Sequence, residues 1–103
     1  MTRYRLVLAY DGTAYAGWQI QPGQTTVQQV MQDAIRRLAS EKVIAHGSGR
    51  TDQGVHARKQ YVHIEFERDD DLVPMLSKGL NAILPAGIRV SLVSRAAPDF
   101  DAR

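Results

Sequence analysis

Tyr4, Leu6, Leu8 and Tyr10 alternate with Arg3, Arg5, Val7 and Ala9, a period of two that predicts a strand with one apolar face. Asp11-Gly12-Thr13 follows with turn chemistry, and Gly17 through Gly23 reads as irregular loop. Thr25-Thr26-Val27-Gln28 has the spacing of a capping box, with Thr25 capping and Gln28 reaching back. Behind it Val27, Val30, Met31, Ala34, Ile35 and Leu38 fall on one stripe, which predicts a helix over 26–39. A short strand is expected at Lys42–Ala45, and a longer alternating one at Tyr61–Glu67. Between them His46–Ala57 holds three glycines and neither period. Asp71 can cap a second helix whose buried stripe is Leu72, Met75, Leu76, Leu80, Ile83 and Leu84, with Pro74 tolerated in its first turn. Gly79 weakens that helix by about 1 kcal/mol unless it permits a close approach. Pro85 and Gly87 end it, and Ile88–Val93 makes a last strand.

The predicted order is β-α-β-β-α-β. Two interleaved βαβ units of this kind fold as one antiparallel sheet with both helices on one face, an α+β ferredoxin-like (RRM-like) architecture. The other face is left open to water, a ligand or another domain. Residues 1–103 read as a single domain, with no repeat or linker.

Composition narrows the class. Hydrophobic residues make up 44% and charged residues 23%, ordinary usage for a soluble domain. No apolar run approaches the roughly 20 residues that cross a bilayer. Met1–Tyr10 is too short and too alternating for the apolar region of a signal peptide, so a cytoplasmic location is expected. The absence of cysteine excludes thiol catalysis and cysteine-rich zinc sites. The 13 basic and 11 acidic residues sum to +2, with the positive charge concentrated in the first half and mostly carried by arginine. Arginine's planar fork suits phosphate.

Gly47-Ser48-Gly49-Arg50-Thr51-Asp52-Gln53-Gly54-Val55-His56-Ala57 is where the chemistry concentrates. Gly47, Gly49 and Gly54 let the backbone turn and approach a bulky partner. It is no nucleotide loop. Aspartate stands where a dinucleotide fingerprint needs its third glycine, and no Gly-Lys-Ser/Thr follows. What remains is a carboxylate two residues after an arginine. A nearby guanidinium favours the ionised form that a nucleophilic aspartate needs, and would draw in a polyanion that the carboxylate repels. A turn aspartate bonding its own backbone fits the same residues. His56 reads as a local hydrogen-bonding residue, no second ligand stands at metal spacing beside it, and no metal is assigned.

This segment closely resembles the motif Gly-x-Gly-Arg-Thr-Asp-x-Gly-Val-His-Ala of the tRNA pseudouridine synthase A (TruA-type) family. Tyr10-Asp11-Gly12-Thr13, Gly17-Trp18-Gln19-x-Gln21 and Phe100-Asp101-Ala102-Arg103 agree as well, so the resemblance spans the chain. It implies a cofactor-free isomerase that converts uridine to pseudouridine at positions 38–40 of the tRNA anticodon stem-loop. Asp52 falls on the family's catalytic aspartate, which attacks the nucleoside or assists glycosidic cleavage. Arg50 falls on the arginine that helps flip the target base. Gln53 stands where the family more often has alanine. The family's chains are about twice as long, with a second domain that completes the sheet and the cleft and supplies a stacking tyrosine and a basic partner for the aspartate. The resemblance therefore implies an N-terminal fragment, inactive or nearly so alone, from an enzyme expected to be a homodimer.

Other residues keep two readings. Arg58 and Lys59 are candidate RNA phosphate contacts by charge and spacing. Trp18 can stack on a base or plug the core of a short domain. Asp11 can orient an active-site arginine or simply turn the chain. A non-catalytic RRM-like RNA-binding module or a dimerisation module is the competing class. Against the RRM signature, Lys59, Tyr61, Ile64 and Phe66 match, while Gln60, Val62 and His63 fail. Tyr61 and Phe66 also differ in strand parity, so they cannot stack bases on one face.

Overall fold

The computed structural model describes residues 2–11, 15, 17–48, 57–68, 70–97 and 100. Strand β1 (Thr2–Tyr10) is followed by helix α1 (Val27–Ala39), strands β2 (His46–Gly47) and β3 (Ala57–Phe66), helix α2 (Val73–Ile83) and strand β4 (Ile88–Arg95). The sheet runs β2-β3-β1-β4 with every pair antiparallel, which is the ferredoxin-like α+β arrangement expected. Tyr4, Leu6 and Leu8 of β1 and Val62, Ile64 and Phe66 of β3 are fully buried in one core with the helix stripes. Both stripes appear as read, with Val27, Met31, Ala34 and Ile35 buried on α1 and Leu72, Leu76, Leu80 and Leu84 along α2. Gly79 does permit a close approach. A Cβ there would stand 2.7 Å from a Leu38 methyl, so the glycine brings α2 onto α1.

Tyr4 ties the core to the start of α2. Its ring packs edge-on to Phe66 at 5.8 Å, and its hydroxyl accepts from Leu72 N at 3.0 Å and donates to Asp70 O. Asp71 also acts there, accepting from Val73 N at 3.0 Å across the start of the helix. Asp70 and Asp71 are both exposed. Asp70 pairs with Arg68 at 2.8 Å, and the hydrogen bond from that guanidinium holds its carboxyl below the usual range. Asp69 lies outside the described residues.

Two expectations need correction. The capping residue of α1 is Thr26 rather than Thr25: its hydroxyl accepts from Gln29 N. Gln28 does not reach back to it. Instead it is buried, accepts from Ile20 N at 3.0 Å and donates to Ala45 O at 2.8 Å. That use of Gln28 also explains the second correction, the displacement of the expected 42–45 strand to His46–Gly47. The Ala45 carbonyl is taken by Gln28 and its N–H by Gln32 Oε1 at 3.0 Å, so helix side chains satisfy the backbone that would have paired with β3. Pairing begins only at His46 opposite His63. β3 begins earlier than its alternation suggested, at Ala57, because β1 extends to Tyr10 and pairs with it. β4 likewise runs on to Arg95, opposite Tyr4. Ser91 is the extra residue of a bulge against β1, and its hydroxyl donates to Val7 O. Among the described residues no helix is long and apolar enough to cross a membrane.

Gln28→Leu should remove both tethers and leave the part-buried Ile20 N–H and the buried Ala45 carbonyl unpaired. Stability measured by urea unfolding is expected to fall by about 2 kcal/mol, whereas Gln29→Leu on the same helix should be close to neutral.

Candidate functional site

The glycine-rich segment leaves and rejoins the sheet at two well-held points. On the departing side Gly47 pairs with Val62, and Ser48 N donates to Tyr61 O at 2.8 Å. The Ser48 hydroxyl donates to Gln60 Oε1 at 3.2 Å and accepts from Tyr61 N at 3.3 Å. On the returning side Ala57 starts β3 opposite Tyr10. Gly49, Arg50, Asp52, Gly54 and His56 lie outside the described residues, as does the side chain of Arg58. The backbone of Arg58 is in β3, and Lys59 beside it is exposed.

Beneath the departing strand sits Trp18. Its indole is 2% exposed and stacks on Tyr10, with ring centroids 6.4 Å apart and planes at 26°. The chain on either side is pinned to the start of α1, since Val27 N donates to Gly17 O and Gln28 N to Trp18 O. Of the two roles open to this tryptophan, the packing one is what its ring does in this fold. Gly47 is the residue that makes room for it. A Cβ at Gly47 would stand 2.7 Å from both Cε2 and Nε1 of the indole and 2.6 Å from Gln60 Nε2. Gly47 therefore serves a close approach, but to the protein's own tryptophan.

Asp11 is exposed at the end of β1, and its N–H donates to Gly87 O at 2.8 Å, tying that turn to the loop before β4. Tyr15 is buried close by, where a Cβ added at Gly87 would meet its ring at 3.7 Å. Burial, and secondarily the Asp11 carboxylate, push its phenol above the usual tyrosine range.

Gln60 and His63 escaped the sequence reading. A glutamine in phase with the inward Val62, Ile64 and Phe66 was a signal in itself, because a buried amide needs partners. His63 carried no such signal, since alternation puts it on the outward face. It is nevertheless 3% exposed, stacked on His46 with centroids 4.6 Å apart and met edge-on by Phe100. Tyr61 and Phe66 part as their parity required, the first 39% exposed and the second buried. A depression of about 1110 Å³ lies between α1, the 41–46 segment and the Phe66 end of β3. Its rim mixes Asp33, Glu41 and Glu67 with Arg36 and Lys42, at the opposite end of β3 from the loop. Among the described residues no group of three or more His, Asp or Glu is placed to hold a metal ion.

Comparison with known proteins gives a consistent result. A family model described as tRNA pseudouridine synthase matches residues 6–103. The tRNA pseudouridine synthase A of Methylobacterium nodulans is 44% identical over 103 residues, covering 100% of this chain and 41% of that protein. The tRNA pseudouridine synthase A 1 of Protochlamydia amoebophila is 48% identical over 98 residues, or 94% of this chain and 38% of the relative. The Geobacter sulfurreducens tRNA pseudouridine synthase A is 44% identical over 105 residues, with 100% and 42% covered. The chain thus spans about two-fifths of the length of the curated relatives it matches.

Two outcomes are expected here. Gly47→Ala should cost about 1–3 kcal/mol through overpacking and shift the emission of Trp18, the only tryptophan in the chain. In an ultraviolet pH titration Tyr15 should ionise above a free tyrosine, and Asp11→Asn should bring it part of the way down. Because the folded phenol is the more reluctant to ionise, its contribution to stability holds below the usual tyrosine range and is lost as pH climbs through the raised value.

Proposed function

The chain belongs to the tRNA pseudouridine synthase family, and from that premise we propose that it carries the catalytic loop of an enzyme that isomerises uridine to pseudouridine in the tRNA anticodon stem-loop. The observation that supports this most is the match over residues 6–103, which includes the whole Gly47–Ala57 motif. The motif's position adds to it. The sheet holds both ends of the motif, Ser48 bonded to Gln60 and Ala57 opposite Tyr10.

Asp52 acts as the catalytic carboxylate on this reading. Arg50, two residues before it, favours the ionised form and fills the stack when the target base is drawn out, which costs a few kcal/mol. The glycosidic bond to nitrogen breaks, the base turns, and its carbon rejoins the ribose. One proton leaves that carbon and one returns to nitrogen, so the change is an isomerisation that needs no redox partner. Gly49 and Gly54 give the loop the freedom to admit the base. Arg58 and Lys59, directly after the motif, are placed in sequence to meet backbone phosphates. The enzyme works in the cytoplasm, where tRNA is matured, and as a homodimer.

In the enzyme as its host makes it, Asp52→Asn should lower pseudouridine formation in a tRNA transcript by roughly a thousandfold or more while leaving tRNA affinity largely intact. Unchanged turnover removes Asp52 from the mechanism. Arg50→Lys should reduce turnover more than affinity, because it keeps the charge and loses the planar fork. The 103-residue chain alone should yield little or no product.

A further inference from the structure

The open face of the sheet holds a cation that no carboxylate among the described residues pairs with. Arg3, Arg5, Val7 and Ala9 point away from the helices, with Arg5 between His63 of β3 and Ser94 of β4. Arg3 shares an unpartnered Nε but has other partners. It pairs with Glu65 at 3.1 Å and donates to the Phe100 carbonyl. Arg5 is half-buried, its Nε is shielded from solvent without a hydrogen-bond partner, and among the described residues no acceptor or carboxylate holds its guanidinium. That Nε is desolvated without a compensating hydrogen bond. A cavity of about 400 Å³ opens beside it, bounded by Ser94, Ala96, Ala97 and Phe100.

The neighbouring row differs in character. Val7 lies between Tyr61 and Leu92, which are 39% and 45% exposed. Arg89, opposite Ala9, adds a further exposed positive charge toward the loop end of the sheet. Glu65 is the only carboxylate on these strands, and it is already paired. An unpaired guanidinium, a presented phenol ring and a net positive face together match a nucleic-acid strand, whose phosphates need the first and whose bases stack on the second.

We propose that Arg5 contacts a phosphodiester of a single RNA strand lying across the open sheet face, with Tyr61 stacking a base of the same strand. The identity of the ligand as RNA rests on the tRNA-modifying reading above; the assignment to Arg5 and Tyr61 rests on the geometry. This strand approaches the catalytic loop along β1. Arg5 lies five residues from Tyr10, roughly 17 Å at strand rise, and Tyr10 pairs with the residue that follows the loop.

The test is binding of a fluorescent RNA stem-loop to the 103-residue chain, followed by anisotropy over a salt series, with thermal melting of every variant. Arg5→Gln should weaken binding about tenfold at low salt and flatten the dependence of log affinity on log salt by about 0.7, the value of one single-strand phosphate. Arg5→Lys should bind with intermediate affinity and keep the slope. Tyr61→Ala should weaken binding at an unchanged slope. Arg37→Gln, on the exposed side of α1, should alter neither. The melting temperature of Arg5→Gln should equal or exceed that of the parent. If the parent binds RNA and Arg5→Gln binds as well as the parent, the proposal fails and the tRNA reading stands. A parent chain that binds no RNA at low salt overturns the proposal, while the tRNA reading is decided by the turnover of Asp52→Asn. A melting temperature lowered by Arg5→Gln and by Arg5→Lys makes Arg5 a structural residue. Binding of poly-glutamate that depends on Arg5, with RNA binding unaffected, assigns the site to an acidic protein segment and overturns the proposal.

Discussion

Strand β1 is hydrogen-bonded along both edges, to β3 on one side and β4 on the other. A slip of one residue along either neighbour would turn every one of its side chains to the opposite face. Tyr4, Leu6 and Leu8 are completely buried under the helices, and their burial stabilises the fold by about 2 kcal/mol each, so the register is held by the core. The rest of the molecule inherits that choice. With Leu6 facing inward, Arg5 and Val7 must face outward, and their cross-strand partners His63, Tyr61, Leu92 and Ser94 follow them. One apolar alternation therefore makes both the core and the charged, aromatic open face.

The same strand also anchors the two ends of the Gly47–Ala57 segment. Tyr10 ends β1, pairs with Ala57 where the loop returns, and stacks on Trp18 where the loop departs. Trp18 in turn lies against Gly47, while Ser48 and Gln60 bind each other across the narrow end of the β2–β3 pair. The loop is thus carried by a rigid, fully packed base.

Legibility varied with the range of the interaction concerned. Both helices and the alternation of the first and third strands were readable because they depend on residues within a turn or a few positions of each other. The shift of the cap from Thr25 to Thr26 is local, whereas the change in the second strand came from side chains that found distant partners. Gln28 had the spacing of a capping residue, yet it serves Ile20 and Ala45, and with Gln32 it withdraws the 42–45 segment from the sheet. The motif at Gly47–Ala57 was legible as a candidate site, since glycines, an arginine and an aspartate at that density have few structural uses. That Gly47 makes room for Trp18 was not legible. The two are 29 positions apart, and no local rule joins them.

What the sequence determined by itself was the set of elements, the topology class and the chemistry-bearing segment, because periodicity, glycine content and residue type are local properties of the chain. What only the tertiary structure decided was which polar groups were left over. Arg3 and Arg5 are two positions apart with the same side chain and the same outward parity. One lies opposite Glu65 and is paired, while the other lies between a histidine and a serine and is not. That difference is created by strand pairing between residues about 60 to 90 positions apart. It arises only when the sheet closes, since charges along the unfolded chain are solvated alike and acquire unequal partners on folding.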